Sequence, residues 1–124
     1  APDFTRDLMW DRFTEDIKNT LKTEGVYYEP SEYGEEPYTV TMKLIEDGRN
    51  HLLLDRTIAL HCPVRLLHGM RDDSVPWMTA GRIADKILSD DVRISLVKDG
   101  DHRLSRDQDI VRLKLTLEEL LAEI

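Results

Sequence analysis

The sequence predicts an α/β fold with parallel strands, and three observations in its second half carry that prediction. First, PVRLLHG (63–69) is a short apolar run entered through proline and left through glycine, the profile of a strand buried on both faces. Second, WMTAGRIADKIL (77–88) puts Ala80, Ile83, Ala84 and Ile87 on one helical face. Third, DVRISLVK (91–98) alternates, with Val92, Ile94 and Leu96 on one side, as a half-exposed strand near a sheet edge does. Beyond it, Ser105 and Gln108 have capping-box spacing ahead of Ile110, Leu113, Leu117, Leu120 and Ile124, a long helical stripe. From residue 63 the order is therefore strand, helix, strand, helix: one βαβ unit with a right-handed crossover, and a closing helix.

The first half reads differently. Trp10, Phe13, Ile17 and Leu21 recur at helical spacing with charge between them, so an amphipathic helix is expected over 7–23, ending near Gly25. VYYEPSEYGEEPY (26–38), with two prolines, a glycine and clustered glutamates and tyrosines, is expected to be an irregular loop. TVTMKLIEDGRNHLL (39–53) is expected to be helical, with Gly48 weakening it. Two parallel strands cannot bury themselves, because parallel sheets are normally covered on both faces and built from more strands. The helices expected over 77–88 and 109–124 have too little sheet to pack on. The chain is therefore expected to need strands from a preceding segment and not to fold stably by itself.

Composition narrows the function classes. At 124 residues, 40% hydrophobic, the chain has the size of one small domain or part of a larger one. Its 17 Lys+Arg against 25 Asp+Glu give a net charge of −8 with no basic run, so a phosphate backbone is repelled and nucleic acid is not an expected partner. No apolar stretch approaches the ~20 residues of a bilayer span, and APDFTRDLMW has neither a basic nor an apolar signal region. The single Cys62 excludes an internal disulfide, which fits a reducing compartment. The cytoplasm is the expected location, or the mitochondrion if a targeting segment lies upstream.

Two loops carry chemistry, each at the C-terminal end of an expected strand, the edge of an open α/β sheet where ligands bind. They are HGMRDDSVP (68–76) and KDGDHRLS (98–105). Asp72 and His102 are 30 residues apart with one helix and one strand between them, which brings both loops to the same sheet edge. There an aspartate accepts the Nδ1–H of the histidine, fixes its tautomer and stabilises the imidazolium, leaving Nε2 to act as general base. Taken alone, Asp72 reads as an Asx-turn residue and His102 as an exposed loop histidine in a charge cluster with Asp101 and Arg103. The paired context, HG before Asp72, VP after it and GDH at the next strand end, favours catalysis. Asp73 reads as a turn residue. His51, His61 and His68 show no HExxH or other ligand spacing, so no metal is expected and no cofactor is implied. His68 reads as a strand-end residue more structural than chemical, and Cys62 as an inert thiol. Trp10, Phe13, Tyr27, Tyr28, Tyr33 and Tyr38 read as packing, with lining of an acyl pocket as the alternative; Trp77 fits either role.

HGxxDxxVP followed by GDH resembles the α/β-hydrolase superfamily, whose triads run nucleophile, acid, histidine. CPVRLLHGMRDDSVPW, SDDV, KDGDHRLS and the tail helix are similar to the branch containing the mitochondrial acyl-glucuronide esterase and palmitoyl-protein thioesterase and its bacterial relatives. SEYGEEPYTVTMKLIEDGRNHLLL resembles the same branch's cap region. The resemblance implies the C-terminal half of an α/β-hydrolase fold: a cap or lid segment over 1–61 following a core strand, then the last two parallel strands and their helices over 62–124. It implies Asp72 as triad acid and His102 as triad base. It also implies a small-molecule carboxylic ester or thioester as substrate. The nucleophile elbow G-x-S-x-G is absent, since no two of the glycines at 25, 34, 48, 69, 81 and 100 are four apart. Its oxyanion hole goes with it, so the 124 residues are expected to be inactive alone and to need the N-terminal half of the domain. APDF resembles the exit of the strand after the nucleophile helix, which would place Ala1 in mid-domain. Two other readings stand beside this one. An aspartate nucleophile would make the protein of dehalogenase or epoxide-hydrolase type, and a chain without nucleophile could be a non-catalytic binding or interaction protein.

Overall fold

A computed structural model describes residues 1–31 and 34–124. Glu32 and Tyr33, inside the loop expected over 26–38 and the second of them a candidate pocket aromatic, lie outside the described residues. The chain divides into two compact units, Pro2–Leu53 and Leu54–Ile124, with Ala1 grouped with the second.

In Pro2–Leu53 the chain enters through a π-helical turn, Thr5–Met9, and a 3-10 turn, Trp10–Arg12, before helix α1 (Glu15–Glu24) begins. The single helix expected over 7–23 is thus broken. Phe13 is extended, with φ −69° and ψ 142°, and Thr14 caps α1 by accepting the Ile17 N–H on Oγ1 at 3.3 Å. The helical period runs through the break because Trp10, Phe13 and Ile17 all pack on one core of Leu21, Val40 and Ile45. The helix ends at Gly25, left-handed with φ 77°, whose N–H reaches the Leu21 carbonyl at 2.9 Å.

The stretch expected to be irregular opens on a strand, and a second strand starts at its last residue and takes the first three residues of the helix expected over 39–53. Strand β1 (Val26–Glu29) pairs antiparallel with β2 (Tyr38–Thr41), Tyr27 opposite Val40. Both prolines fall outside the strands, and the Val, Tyr and Thr within them suit a half-buried pleat. The helix expected over 39–53 shrinks to α2 (Met42–Gly48) and a 3-10 turn, Arg49–His51. Thr41 ends the strand and caps the helix, its Oγ1 accepting the Leu44 N–H at 3.1 Å. Gly48 is there for space: a Cβ would lie 2.0 Å from Thr5 Oγ1. Asp3, buried, accepts the Leu53 N–H on Oδ1 at 2.7 Å and so joins the two ends of this unit.

In Leu54–Ile124, strands β3 (Val64–Gly69) and β4 (Val92–Val97) pair in parallel, from Val64 opposite Val92 to Gly69 opposite Val97. Helix α3 (Met78–Lys86) makes the crossover and α4 (Asp107–Glu123) follows. Among the described residues this sheet has two strands. Leu54, Ala80, Ile87 and Val97 are its buried apolar residues, while Ile94, Leu96, Leu113, Leu115, Leu117 and Leu121 stay exposed. The expected α4 stripe is therefore present in sequence and uncovered in space. Ion pairs also link its elements. Arg65, its side chain 5% exposed, gives Nη1 to Asp91 at 2.8 Å and Nη2 to Glu123 at 2.7 Å, and Arg93 pairs with Glu119. The α4 cap also moves from the expected Ser105 to Arg106, because Asp109 Oδ2 accepts the Arg106 N–H at 3.3 Å.

Candidate active site

Both chemistry-bearing loops leave the same edge of one parallel pair, Gly69 ending β3 beside Val97 at the end of β4. The register brings their backbones into contact: the Met70 N–H donates to Val97 O at 2.8 Å and the Arg71 N–H to Gly100 O at 2.9 Å. The crossing needs glycine on both sides. A Cβ on Gly69 would lie 2.3 Å from Gly100 O and 2.4 Å from Asp101 O. One on Gly100 would lie 2.6 Å from Leu104 Cδ2 and 3.1 Å from Gly69 Cα. These are demands of space, since neither glycine has a positive φ.

On that crossing Asp72 meets His102. Asp72 Oδ2 lies 2.9 Å from His102 Nδ1, and Oδ1 accepts the N–H of Ser74 at 2.9 Å and of Val75 at 2.8 Å. The Asx turn and the histidine contact are thus one arrangement: the turn holds one carboxylate oxygen and thereby aims the other. Burial alone would push this carboxyl up. The Val75 N–H, then the His102 ring and the Ser74 N–H, outweigh it and hold the group below its ordinary value. An ionised Asp72 makes His102 Nδ1 the donor and leaves Nε2 as the ring's acceptor. The Asp72 side chain is 5% exposed and that of His102 is 54% exposed. The acid is enclosed and the histidine open, an arrangement able to take a proton from a group brought to it. Asp73 is exposed beside the turn.

The His102 loop has its own supports, which spacing alone did not single out. Asp101 Oδ1 accepts the N–H of Arg103 at 3.1 Å and of Leu104 at 2.9 Å, turning the chain so that Leu104 takes φ 45°. Arg106 bridges Asp99 in the loop, at 2.9 and 3.1 Å, to Asp109 in the first turn of α4, at 2.8 and 3.1 Å. The Asp109 side chain is almost wholly enclosed. Hydrogen bonds from Arg106 hold both carboxyls below their usual range, and the two carboxylates raise the guanidinium. A visible signal existed for part of this, the Arg106–Asp109 spacing of i, i+3, but the partner Asp99 requires the loop to fold back.

Other candidates are placed elsewhere. Phe13 stacks edge-on against Tyr27 at 6.2 Å, and Trp10 packs on the core with Lys18, Lys22 and Arg49 within 5.2–5.7 Å of its ring. Those aromatics serve packing. Tyr28 and Tyr38 are exposed. Trp77 lines an apolar groove of about 280 Å³ with Met78, Ala80, Gly81, Ile94 and Leu96, which includes neither Asp72 nor His102. Cys62 is a free, exposed thiol. Among the described residues no group of three His, Cys, Asp or Glu side chains could hold a metal ion, and no helix is long and apolar enough to cross a membrane.

No protein-family model matches the chain. It is 41% identical over 110 residues to human palmitoyl-protein thioesterase ABHD10, mitochondrial, an alignment taking 88% of this chain and 36% of that protein. The Bos taurus protein of the same name is 40% identical over the same length. Among solved structures, a putative hydrolase from Agrobacterium vitis S4 superposes with a TM-score of 0.90 at 41% identity, covering 97% of this chain and 46% of that one. The mouse alpha/beta hydrolase domain-containing protein 10 superposes with a TM-score of 0.86 at 34% identity, covering 99% and 49%. The chain thus spans between 36% and 49% of the length of these relatives.

Proposed function

We propose that this chain, which has the fold of the C-terminal half of an α/β-hydrolase, supplies the acid and the base of a Ser–Asp–His triad in an enzyme that cleaves carboxylic esters or thioesters. The observation that carries the reading is the 2.9 Å contact of Asp72 Oδ2 with His102 Nδ1, at the C-terminal ends of adjacent parallel strands. Asp72 keeps the His102 ring in one tautomer, and Nε2 takes the proton of a serine supplied by the preceding half of the domain. The serine oxygen attacks the acyl carbon, and the protonated His102 returns the proton to the leaving alkoxide or thiolate. Water, activated by the same nitrogen, then releases the acid. The oxyanion donors come from the same missing half. Residues 1–61 serve as the cap that selects the acyl group, and the relatives named as thioesterases favour a thioester among the substrates. The mitochondrial designation of those relatives makes the mitochondrion, beside the cytoplasm, a compartment for the whole protein.

In the full-length protein, Asp72→Asn should lower kcat by about 10⁴-fold, and His102→Ala by a similar factor. A fluorophosphonate probe should label the full-length protein and leave the isolated 124 residues unlabelled. Labelling of the isolated chain, or wild-type turnover in both variants, would overturn the reading. An aspartate at the nucleophile position would move the protein to the dehalogenase or epoxide-hydrolase type.

A further inference from the structure

One buried-side contact of the triad acid is unused by that mechanism. His68, four residues before Asp72 and next to last in β3, has a side chain only 14% exposed. Its Nε2 lies 3.0 Å from Val75 O and 3.2 Å from Asp72 Oδ2, the same oxygen that faces His102. Both neighbours are acceptors, so Nε2 is the nitrogen that carries the proton. Val75 is then held twice, its carbonyl by His68 and its N–H by Asp72 Oδ1 at 2.8 Å. The ring closes a circuit from strand to turn to carboxylate, and its N–H leaves a positive edge against Oδ2.

We infer that His68 is a positioning residue for the triad acid: its Nε2–H fixes the Val75 turn and keeps Asp72 Oδ2 directed at His102. It takes no proton from substrate and acts only through Asp72. The inference rests on the triad reading above, and its test separates the two.

The test uses the full-length protein with a p-nitrophenyl ester as probe substrate, comparing H68Q, H68N and H68A with D72N and H102A. A glutamine side chain carries its amide N–H at about the reach of His Nε2, whereas asparagine stops short at about the reach of Nδ1. H68N and H68A should lose roughly three- to tenfold in kcat with KM unchanged, the worth of one hydrogen bond. H68Q should restore most of that loss. The inference is overturned if H68Q falls as far as H68A, or if all three keep the wild-type kcat. It is equally overturned if the loss in each variant simply follows its loss of thermal stability, since that marks packing alone. Wild-type turnover in D72N and H102A would bring down the triad reading and this inference with it, whatever the His68 variants do.

Discussion

The two units of this chain are closed by different forces. Pro2–Leu53 turns its apolar residues inward: Leu21, Val40 and Ile45 are at most 4% exposed, ringed by Met9, Trp10, Phe13, Ile17, Tyr27 and Met42. Leu54–Ile124 keeps Ile94, Leu96 and the apolar side of α4 exposed, and ties its elements with Arg65–Asp91, Arg65–Glu123 and Arg106 between Asp99 and Asp109. The contrast follows from architecture. An antiparallel pair with helices packed on it finishes a small core locally, whereas a parallel pair leaves edge and faces that only further strands and helices cover. The unit that carries Asp72 and His102 is the less finished of the two.

The contrast can be broken most sharply at Leu21. Leu21→Ala should destabilise Pro2–Leu53 by about 2–5 kcal/mol through loss of packing and the cavity left behind, measured by denaturant unfolding of the full-length protein. Gly69→Ala should follow at about 1–3 kcal/mol, the range for forcing an extra methyl into a filled site, and should in addition displace the 98–105 loop and depress kcat. A fully active Gly69→Ala protein would show that the crossing of the two loops does not set the geometry of the proposed triad. Thr14→Ala should cost about 1 kcal/mol by uncapping α1, with the loss of amide protection confined to α1. At the small end, Leu117→Ala should change the stability of the full-length protein by no more than about 0.5 kcal/mol if the side chain stays as exposed there as it is here. A larger loss, read by the same denaturant unfolding, would show that further segments cover α4.

Acid should separate the units as well. The carboxyls of Asp72, Asp91, Asp99 and Asp109 are all held below their ordinary value of 3.8, chiefly by Arg65 and Arg106 for the last three and by the Val75 N–H against burial for Asp72. A depressed carboxyl contributes stability that is present above its unfolded value and lost as pH falls through its folded one. Leu54–Ile124 should therefore lose amide protection on acidification below pH 3.8 before the apolar core of Pro2–Leu53 does; simultaneous loss would argue against ion pairs as its main ties.

What could be read from residues alone divides along the same line. The βαβ order, both strand ends and the Asp72–His102 pair were legible, because one strand shows as a short apolar run between proline and glycine, the other as an alternation, and both loops follow directly on them. The break at Phe13 was hidden because residues before and after it serve the same core, so the period continued while the backbone did not. The strands β1 and β2 were masked by the proline- and glutamate-rich connection between them. At the site, the supports were harder to see than the Asp72–His102 pair itself. Asp99, Arg106 and Asp109 form one network only after the loop folds back, and Gly69 needs Gly100 because two backbones separated by a whole helix and strand touch.

The two tryptophans fall one in each unit, and their surroundings differ in charge. Trp10 sits in Pro2–Leu53 with three cations within 5.7 Å of its ring, while Trp77 lies 37% exposed in the apolar groove against α3 and β4. Within these 124 residues, replacing either by phenylalanine leaves a single indole whose emission reports one unit alone. Iodide should be drawn to the cationic surroundings of Trp10 and caesium should not, so the sign of the quencher would tell which unit is being watched.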